Sequence, residues 1–129
     1  AGRGIGAAIA IALGKSGATV AIQYNRNEKG AKSVAQQIGA TATIFQADFS
    51  DSQSVIQLYE NVLATFNTID ILVNNAGIAI ETSAVAVDDV WIADFQKTLN
   101  VNLIAASILC KKALWKIKRL GRLYISMDE

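Results

Sequence analysis

Two short stretches carry residue types whose spacing could do chemistry. Gly2-Arg3-Gly4-Ile5-Gly6 precedes apolar residues at helical spacing, and Asn74-Asn75-Ala76-Gly77 directly follows the apolar run Ile69 to Val73. A helix N-terminus presents backbone N–H groups with no intrahelical acceptor and a partial positive charge. A diphosphate docks there when no side chain blocks its approach. Gly4 and Gly6 supply that clearance, and Gly6 also permits close helix–strand packing. Gly-rich turns before helices are common, so on the glycines alone a phosphate site and a plain tight turn stand as equal readings. Gly14-Lys15-Ser16 looks like the end of a phosphate-binding P-loop. The first glycine of that pattern would fall on Ile9, however, and the Gly-Lys-Ser closes a helix instead of opening one, so it reads as a helix end and turn.

The elements that must position these residues alternate between helix and strand. Ile5, Ile9 and Leu13 repeat at helical spacing, and Gly14 and Gly17 stop that helix. Ala18 to Tyr24 is a β-rich run, Asn25-Arg26-Asn27 a turn, and Glu28 to Ile38 a second helix ended by Gly39. Thr41 to Ala47 is another strand, and Asp48 to Ser52 a polar loop ending in residues suited to an N-cap. Val55, Leu58, Tyr59, Val62 and Phe66 mark a third helix. Ile69 to Val73 is a near-continuous apolar strand of the kind buried on both faces. A loop follows to about Val87, then one long helix from Asp88-Asp89 to about Lys118, and after Gly121 a last strand from Arg122 to Ser126. This alternation predicts α/β architecture, a Rossmann-like doubly wound parallel sheet with helices on both faces, in a single unit over residues 1–129. Ligands of such folds bind beyond the carboxyl ends of the strands, where both signatures fall.

Absent residue types narrow the chemistry. With no His, neither Ser-His-Asp nor Cys-His machinery nor a His-based metal site exists in these residues. The one cysteine, Cys110, allows no internal disulfide and no cysteine-cluster zinc site, and its apolar helical setting reads as a buried structural thiol. No metal is expected. We have no physical account of the absence of proline. The 52% hydrophobic content suits a packed core, no stretch reaches the length of a membrane span, and no secretory leader is visible, so a cytoplasmic protein away from membranes is expected. A net charge of +1 gives no strong field for nucleic acid. The local cluster Lys111, Lys112, Lys116, Lys118, Arg119 and Arg122 reads as the solvated face and C-terminal turn of a helix, and nucleic-acid binding is not expected.

Nearly the whole chain resembles the short-chain dehydrogenase/reductase family, whose glycine signature is T-G-x-x-x-G-[IL]-G. Ala1-Gly2-Arg3 would be its variable positions and Gly4-Ile5-Gly6 its end. Asn74-Asn75-Ala76-Gly77 is the more specific match, joined by Asp48 in Ala47-Asp48-Phe49 and by Asn100-Val101-Asn102-Leu103. The wording is most similar to ketoacyl-carrier-protein reductases and sugar-dehydrogenase-like members. The resemblance implies that Arg3, Gly4, Ile5 and Gly6 line a pyrophosphate. It implies that Asp48 accepts a hydrogen bond from the adenine amino group beside the Phe49 backbone. Asn75, Ala76 and Gly77 would line the adenosine ribose and brace the central strands. Asn102 would match the Asn that helps hold the proton-relay water, where the residues alone suggest a polar kink in a helix.

An acidic residue ending the second strand of such a fold would bind the ribose 2′-hydroxyl of NAD and repel a 2′-phosphate. This chain has Gln23-Tyr24-Asn25-Arg26 there and no carboxylate until Glu28, with Arg26 and Arg3 able to face a 2′-phosphate. NADP(H) is therefore expected over NAD(H), with Arg26 counted among the cofactor residues. The plain alternative for Arg26 is a solvated turn residue. In the family a Tyr is the general acid/base and a Lys four residues later lowers its pKa. Here Tyr24 is followed at that spacing by Glu28, Tyr59 by Leu63 and Tyr124 by Asp128. In Gly121-Arg122-Leu123-Tyr124-Ile125-Ser126-Met127-Asp128 the place of the family's catalytic Ser falls on Asp128, or on Met127 with one deletion; Ser126 matches a non-catalytic Ser.

The expectation is thus a chain cut at both ends: the cofactor-binding part of an NADP(H)-dependent oxidoreductase moving hydride to or from a small carbonyl or alcohol substrate, with a homo-oligomer expected for a full-length form. The alternative is an inactive nucleotide-binding or inert truncated relative. The resemblance also places the family's first strand, the middle one of its 3-2-1-4-5 order, upstream of residue 1. Without it, its two neighbours would lie roughly 9.6 Å apart, twice the usual strand spacing and too far to pair.

Overall fold

The computed structural model describes residues 4–114 and the backbone of 124–125. Helix α1 runs Gly4–Lys15, strand β1 Val20–Tyr24, α2 Glu28–Ile38, β2 Ala42–Gln46, α3 Ser52–Phe66, β3 Val73–Asn74 and α4 Asp88–Leu99. A π-helical turn over Asn100–Ile104 then leads into α5, Ala105–Leu114, and β4 is Tyr124–Ile125. Local chemistry sets several of these boundaries. Asn27 Oδ1 accepts from Gly30 N at 2.9 Å to cap α2, and Asp51 Oδ1 accepts from Gln53 N at 2.9 Å to cap α3. Ser16 Oγ donates to Ala12 O at 2.9 Å where α1 ends, so Gly14-Lys15-Ser16 does close a helix. Gly14 is needed for packing as well, since a Cβ there would meet the Ile38 side chain of α2.

The strands form two separate parallel pairs, β1 with β2 and β3 with β4. Val20 opposes Ala42 and Tyr24 opposes Gln46 in the first; Val73 opposes Tyr124 in the second. No ladder joins β1 to β3, the two strands expected to lie too far apart to pair. The same gap explains a correction. The apolar run Ile69 to Val73 is strand only at Val73–Asn74, and Ile71 is 49% exposed. A run can be fully apolar and still fail to form a strand when no neighbour takes up its backbone groups. The long helix expected from Asp88 to Lys118 is likewise interrupted by the π turn, and its residues 115–118 lie outside the described residues. Of the expected last strand, Tyr124–Ile125 is described and the remainder is not.

Helices cover both faces of the strands. On one side Ala10 of α1 and Ala31 and Val34 of α2 pack on Val20 and Ile22. On the other, Val55 and Tyr59 of α3 pack against Ala105, Leu109 and Ala113 of α5, with a third cluster of Ala47, Leu58 and Val62 beside them. The Tyr59 hydroxyl donates to Lys112 O at 2.9 Å, and burial pushes its phenol above its ordinary value of 10.0. Lys112, read from sequence as part of a solvated face, reaches Glu60 at 2.7 Å and lies 5.2 Å from the Tyr59 ring centre, tying α5 to α3. Lys116, Lys118, Arg119 and Arg122 of that cluster lie outside the described residues. No helix among the described residues is long and apolar enough to cross a membrane.

Between the two strand pairs lies a cavity of about 600 Å³.

Candidate functional site

Of the residues singled out from sequence, those within the described residues converge on one rim, at the carboxyl ends of the strands. Asp48 follows β2, Asn74 ends β3, and the loop after β3 carries Asn75, Ala76 and Gly77. Four long-range hydrogen bonds hold the rim together. Asn25 Nδ2 donates to Asp48 Oδ1 at 3.4 Å across the ends of β1 and β2. Asn100 Nδ2 donates to Ser50 O at 3.2 Å. Asn102 grips Ile78 twice, its Oδ1 accepting from Ile78 N and its Nδ2 donating to Ile78 O, both at 2.8 Å. The start of α1 reaches the same rim, because Gly6 lines the central cavity together with Asn75 and Ala76.

Each position has a physical character. Gly4 holds φ +60 with nothing within 4 Å of where a Cβ would stand, and the first turn of α1 carries no acidic residue. That leaves unobstructed helix N–H groups of the kind that receive an anion. Ile5 is exposed and Gly6 buried; Arg3 lies outside the described residues. Arg26 is exposed in the turn after β1. Phe49 packs between two core clusters, anchoring the loop that presents Asp48.

Asp48 is the most elaborately held polar group. Its Oδ1 accepts from Ser50 N at 2.9 Å and Ser50 Oγ at 2.7 Å, and its own N–H donates to Ser54 Oγ at 2.8 Å. The Ser50 bonds, helped by the charges of Lys97 and Arg26, hold its carboxyl below the ordinary 3.8. The second carboxylate oxygen has no hydrogen-bond partner among the described residues and is the one able to accept from a ligand. The depressed pKa fixes the sign of a pH effect. The stabilisation from the Asp48 carboxylate is fully present above 3.8 and is lost as pH falls through the lower folded value. The stability difference between the wild-type chain and Asp48→Asn, measured by urea unfolding, should stay constant from neutral pH to about 5 and shrink below 3.8. A difference that grows on acidification would contradict this.

Asn74 is 7% exposed, and its Nδ2 lies 3.4 Å from the Cys110 sulfur, which gives the partly buried thiol a structural contact. Asn75 Oδ1 is buried without a hydrogen-bond partner among the described residues. Asn102 sits in the π turn, a local widening that exposes backbone groups and often marks functional sites. One oxygen lone pair and one N–H of its carboxamide are committed to Ile78. Three participants escaped sequence reading: Ser50, Ser54 and Lys97. The Ser50 role did have a signal, since Asp-x-Ser lets an aspartate oxygen accept from the N–H two residues on. Lys97 acts from an element distant in the chain, and Ser54 from the first turn of α3. No group of three His, Cys, Asp or Glu among the described residues is placed to hold a metal ion.

With this geometry in hand, similar proteins can be placed beside it. A family model described as short chain dehydrogenase matches residues 1–122. Versicolorin reductase stcU of Emericella nidulans is 35% identical over 129 residues, covering 98% of this chain and 48% of its own. A short-chain dehydrogenase from Burkholderia cenocepacia, solved in complex with NADP, is 38% identical with a TM-score of 0.85, over 96% of this chain and 51% of its own. A blue fluorescent protein from a metagenomic library, solved with NADPH, is 31% identical with a TM-score of 0.85 over the same shares. The chain thus spans about half the length of these relatives.

Proposed function

The chain belongs to the short-chain dehydrogenase family, and we propose that its residues form the NADP(H)-binding part of an oxidoreductase acting on a small carbonyl or alcohol compound. The observation that carries this reading is the ionised Asp48 with one oxygen tied to Ser50 and the other available, on the same rim as the open helix N-terminus at Gly4. These residues fit a dinucleotide. Gly4, Ile5 and Gly6 would receive its pyrophosphate, with Arg3 beside them. Asp48 would accept from the adenine amino group alongside Phe49, and Asn75, Ala76 and Gly77 would line the ribose. The bound nicotinamide would supply hydride; the chain's part is to bind and orient it.

NADP(H) is favoured because no carboxylate ends β1 and Arg26 stands in the following turn. Two similar structures were solved with NADP or NADPH, which supports the choice. Titration of the chain with NADPH and NADH, read by cofactor fluorescence, tests it. Arg26→Ala should weaken NADPH binding about tenfold, or about 1.4 kcal/mol, and leave NADH unchanged. An equal effect on both cofactors would remove Arg26 from 2′-phosphate recognition.

Asn102, which matches the Asn that helps hold the family's proton-relay water, belongs to this reading. A second reading rests on the sequence itself: no tyrosine in residues 1–129 is followed four residues later by lysine. Binding without turnover is then the property these residues carry. NADPH oxidation by the 129-residue chain over a panel of carbonyl compounds would reject it. Helix α4 buries no residue, and Trp91, Phe95 and Leu99 recur every four residues, exposed, along it. That apolar stripe supports a homo-oligomer for the full-length form.

A further inference from the structure

Two cations from different elements share the Asp48 carboxylate, and we propose that Lys97 is a positioning residue for cofactor selection: by offsetting the charge of Asp48 it keeps Arg26 free for a 2′-phosphate. This role rests on the NADP(H) reading and adds to it a residue of α4 that acts through Arg26.

Side-chain hydrogen bonds place both cations. Asn25 Nδ2 donates to Asp48 Oδ1 at 3.4 Å, so the turn after β1 lies against the carboxylate. Arg26 is the next residue of that turn and is exposed. Asn100 Nδ2 donates to Ser50 O at 3.2 Å, which docks the end of α4 on the loop that carries Asp48. Lys97 stands three residues before Asn100, one turn back on the same helix face. Both charges act on Asp48, that of Lys97 the more strongly. Neither forms a close ion pair with it among the described residues. Lys97 therefore acts through its charge and leaves the second oxygen of Asp48 open to a ligand.

Nearby carboxylates are engaged elsewhere. Glu28, two residues after Arg26, pairs with Lys32 at 2.7 Å. Asp94, three residues before Lys97, accepts from Thr82 Oγ1 at 2.7 Å. Asp48 is thus the carboxylate for which Arg26 and Lys97 compete. A guanidinium is a planar fork that fits a carboxylate as well as it fits a phosphate, whereas an ammonium is a point charge on a flexible stem. With Lys97 removed, Arg26 is the cation left to answer Asp48, and an Arg26 closed onto that carboxylate is lost to a 2′-phosphate. The consequence falls on selectivity, because the 2′-phosphate is what NADPH has and NADH lacks.

The test is fluorescence titration of the 129-residue chain with NADPH and with NADH. Lys97→Gln should lower the preference for NADPH over NADH about fivefold, the scale of an exposed charge pair, and Lys97→Arg should keep it. Adding Asp48→Asn to Lys97→Gln should restore the preference while both cofactors bind more weakly, because no carboxylate is left to hold Arg26. A purely structural Lys97 gives no such rescue. Without any cofactor, carboxyl NMR should show Asp48 taking up its proton at higher pH in Lys97→Gln than in the wild-type chain, since the Lys97 charge favours the ionised form. An unchanged preference in Lys97→Gln, a lost preference that Asp48→Asn does not restore, or an unmoved Asp48 titration overturns the role of Lys97 and leaves the NADP(H) reading intact. A wild-type chain that binds neither cofactor, or both equally, overturns the two together.

Discussion

Asn102→Leu is expected to destabilise the chain by about 2–4 kcal/mol and to free the loop after β3. The carboxamide satisfies both backbone groups of Ile78, at 2.8 Å each, across 24 residues of sequence. Leucine has similar bulk and offers neither a donor nor an acceptor, so both Ile78 groups lose their partner. Each unsatisfied buried group costs about 1–3 kcal/mol, about 2–6 kcal/mol for two, and the site is only partly buried, which keeps the sum in the lower half of that range. The effect should be local before it is global. Asn75, Ala76 and Gly77 lie between β3 and Ile78, so NADPH affinity should fall along with stability. Urea unfolding gives the size of the loss, and amide exchange gives its location, with Ile78 exchanging faster in the variant. Unchanged exchange at Ile78 would show that the clamp does not hold the loop. Asn102→Asp is informative beside it, because it keeps an acceptor for Ile78 N–H and sets a carboxylate against Ile78 O.

Ile22→Ala should cost about 2–5 kcal/mol, the usual range for removing a buried isoleucine side chain. Ile22 is 1% exposed at the centre of β1, packed with Ala10, Ala31 and Val34. Two of those neighbours are alanines, too short to close over the space left behind, which favours the upper half of the range. At about 3 kcal/mol the melting temperature should fall by roughly 10 °C. Ala21→Ser is the internal control. Residue 21 is exposed on the same strand, so a change within about 0.5 kcal/mol is expected there. Comparable losses at 21 and 22 would show that β1 is not packed in the register described.

Much of the site was legible in the sequence because its signals are local. Glycines before a helix describe a backbone able to receive an anion, and Gly4 adopts the positive φ that such a start uses. Asp48 followed by Phe49 and Ser50 contains its own carboxylate-holding turn within three residues. The α2 and α3 boundaries were readable from Asn27 and Asp51, which cap within three residues of themselves. Ile69 to Val73 misled for the opposite reason. Its apolar side chains describe an environment, whereas strand formation needs a backbone partner, and every residue brings the same N–H and C=O. The helix expected without a break from Asp88 hides a π turn for a related reason, since the two contacts that surround it, Asn100 to Ser50 and Asn102 to Ile78, are long-range.

By itself the sequence determined the alternation of helix and strand and the family, because propensity, capping and motif spacing act over a few residues. Tertiary structure alone decided that the strands stand as two parallel pairs, that the Asn102 amide is spent on Ile78, and that Lys97 and Arg26 both bear on Asp48. These are matters of which distant groups meet. Hydrogen bonds and Coulomb forces depend on the distances that folding sets, and no pattern along the chain encodes those distances directly.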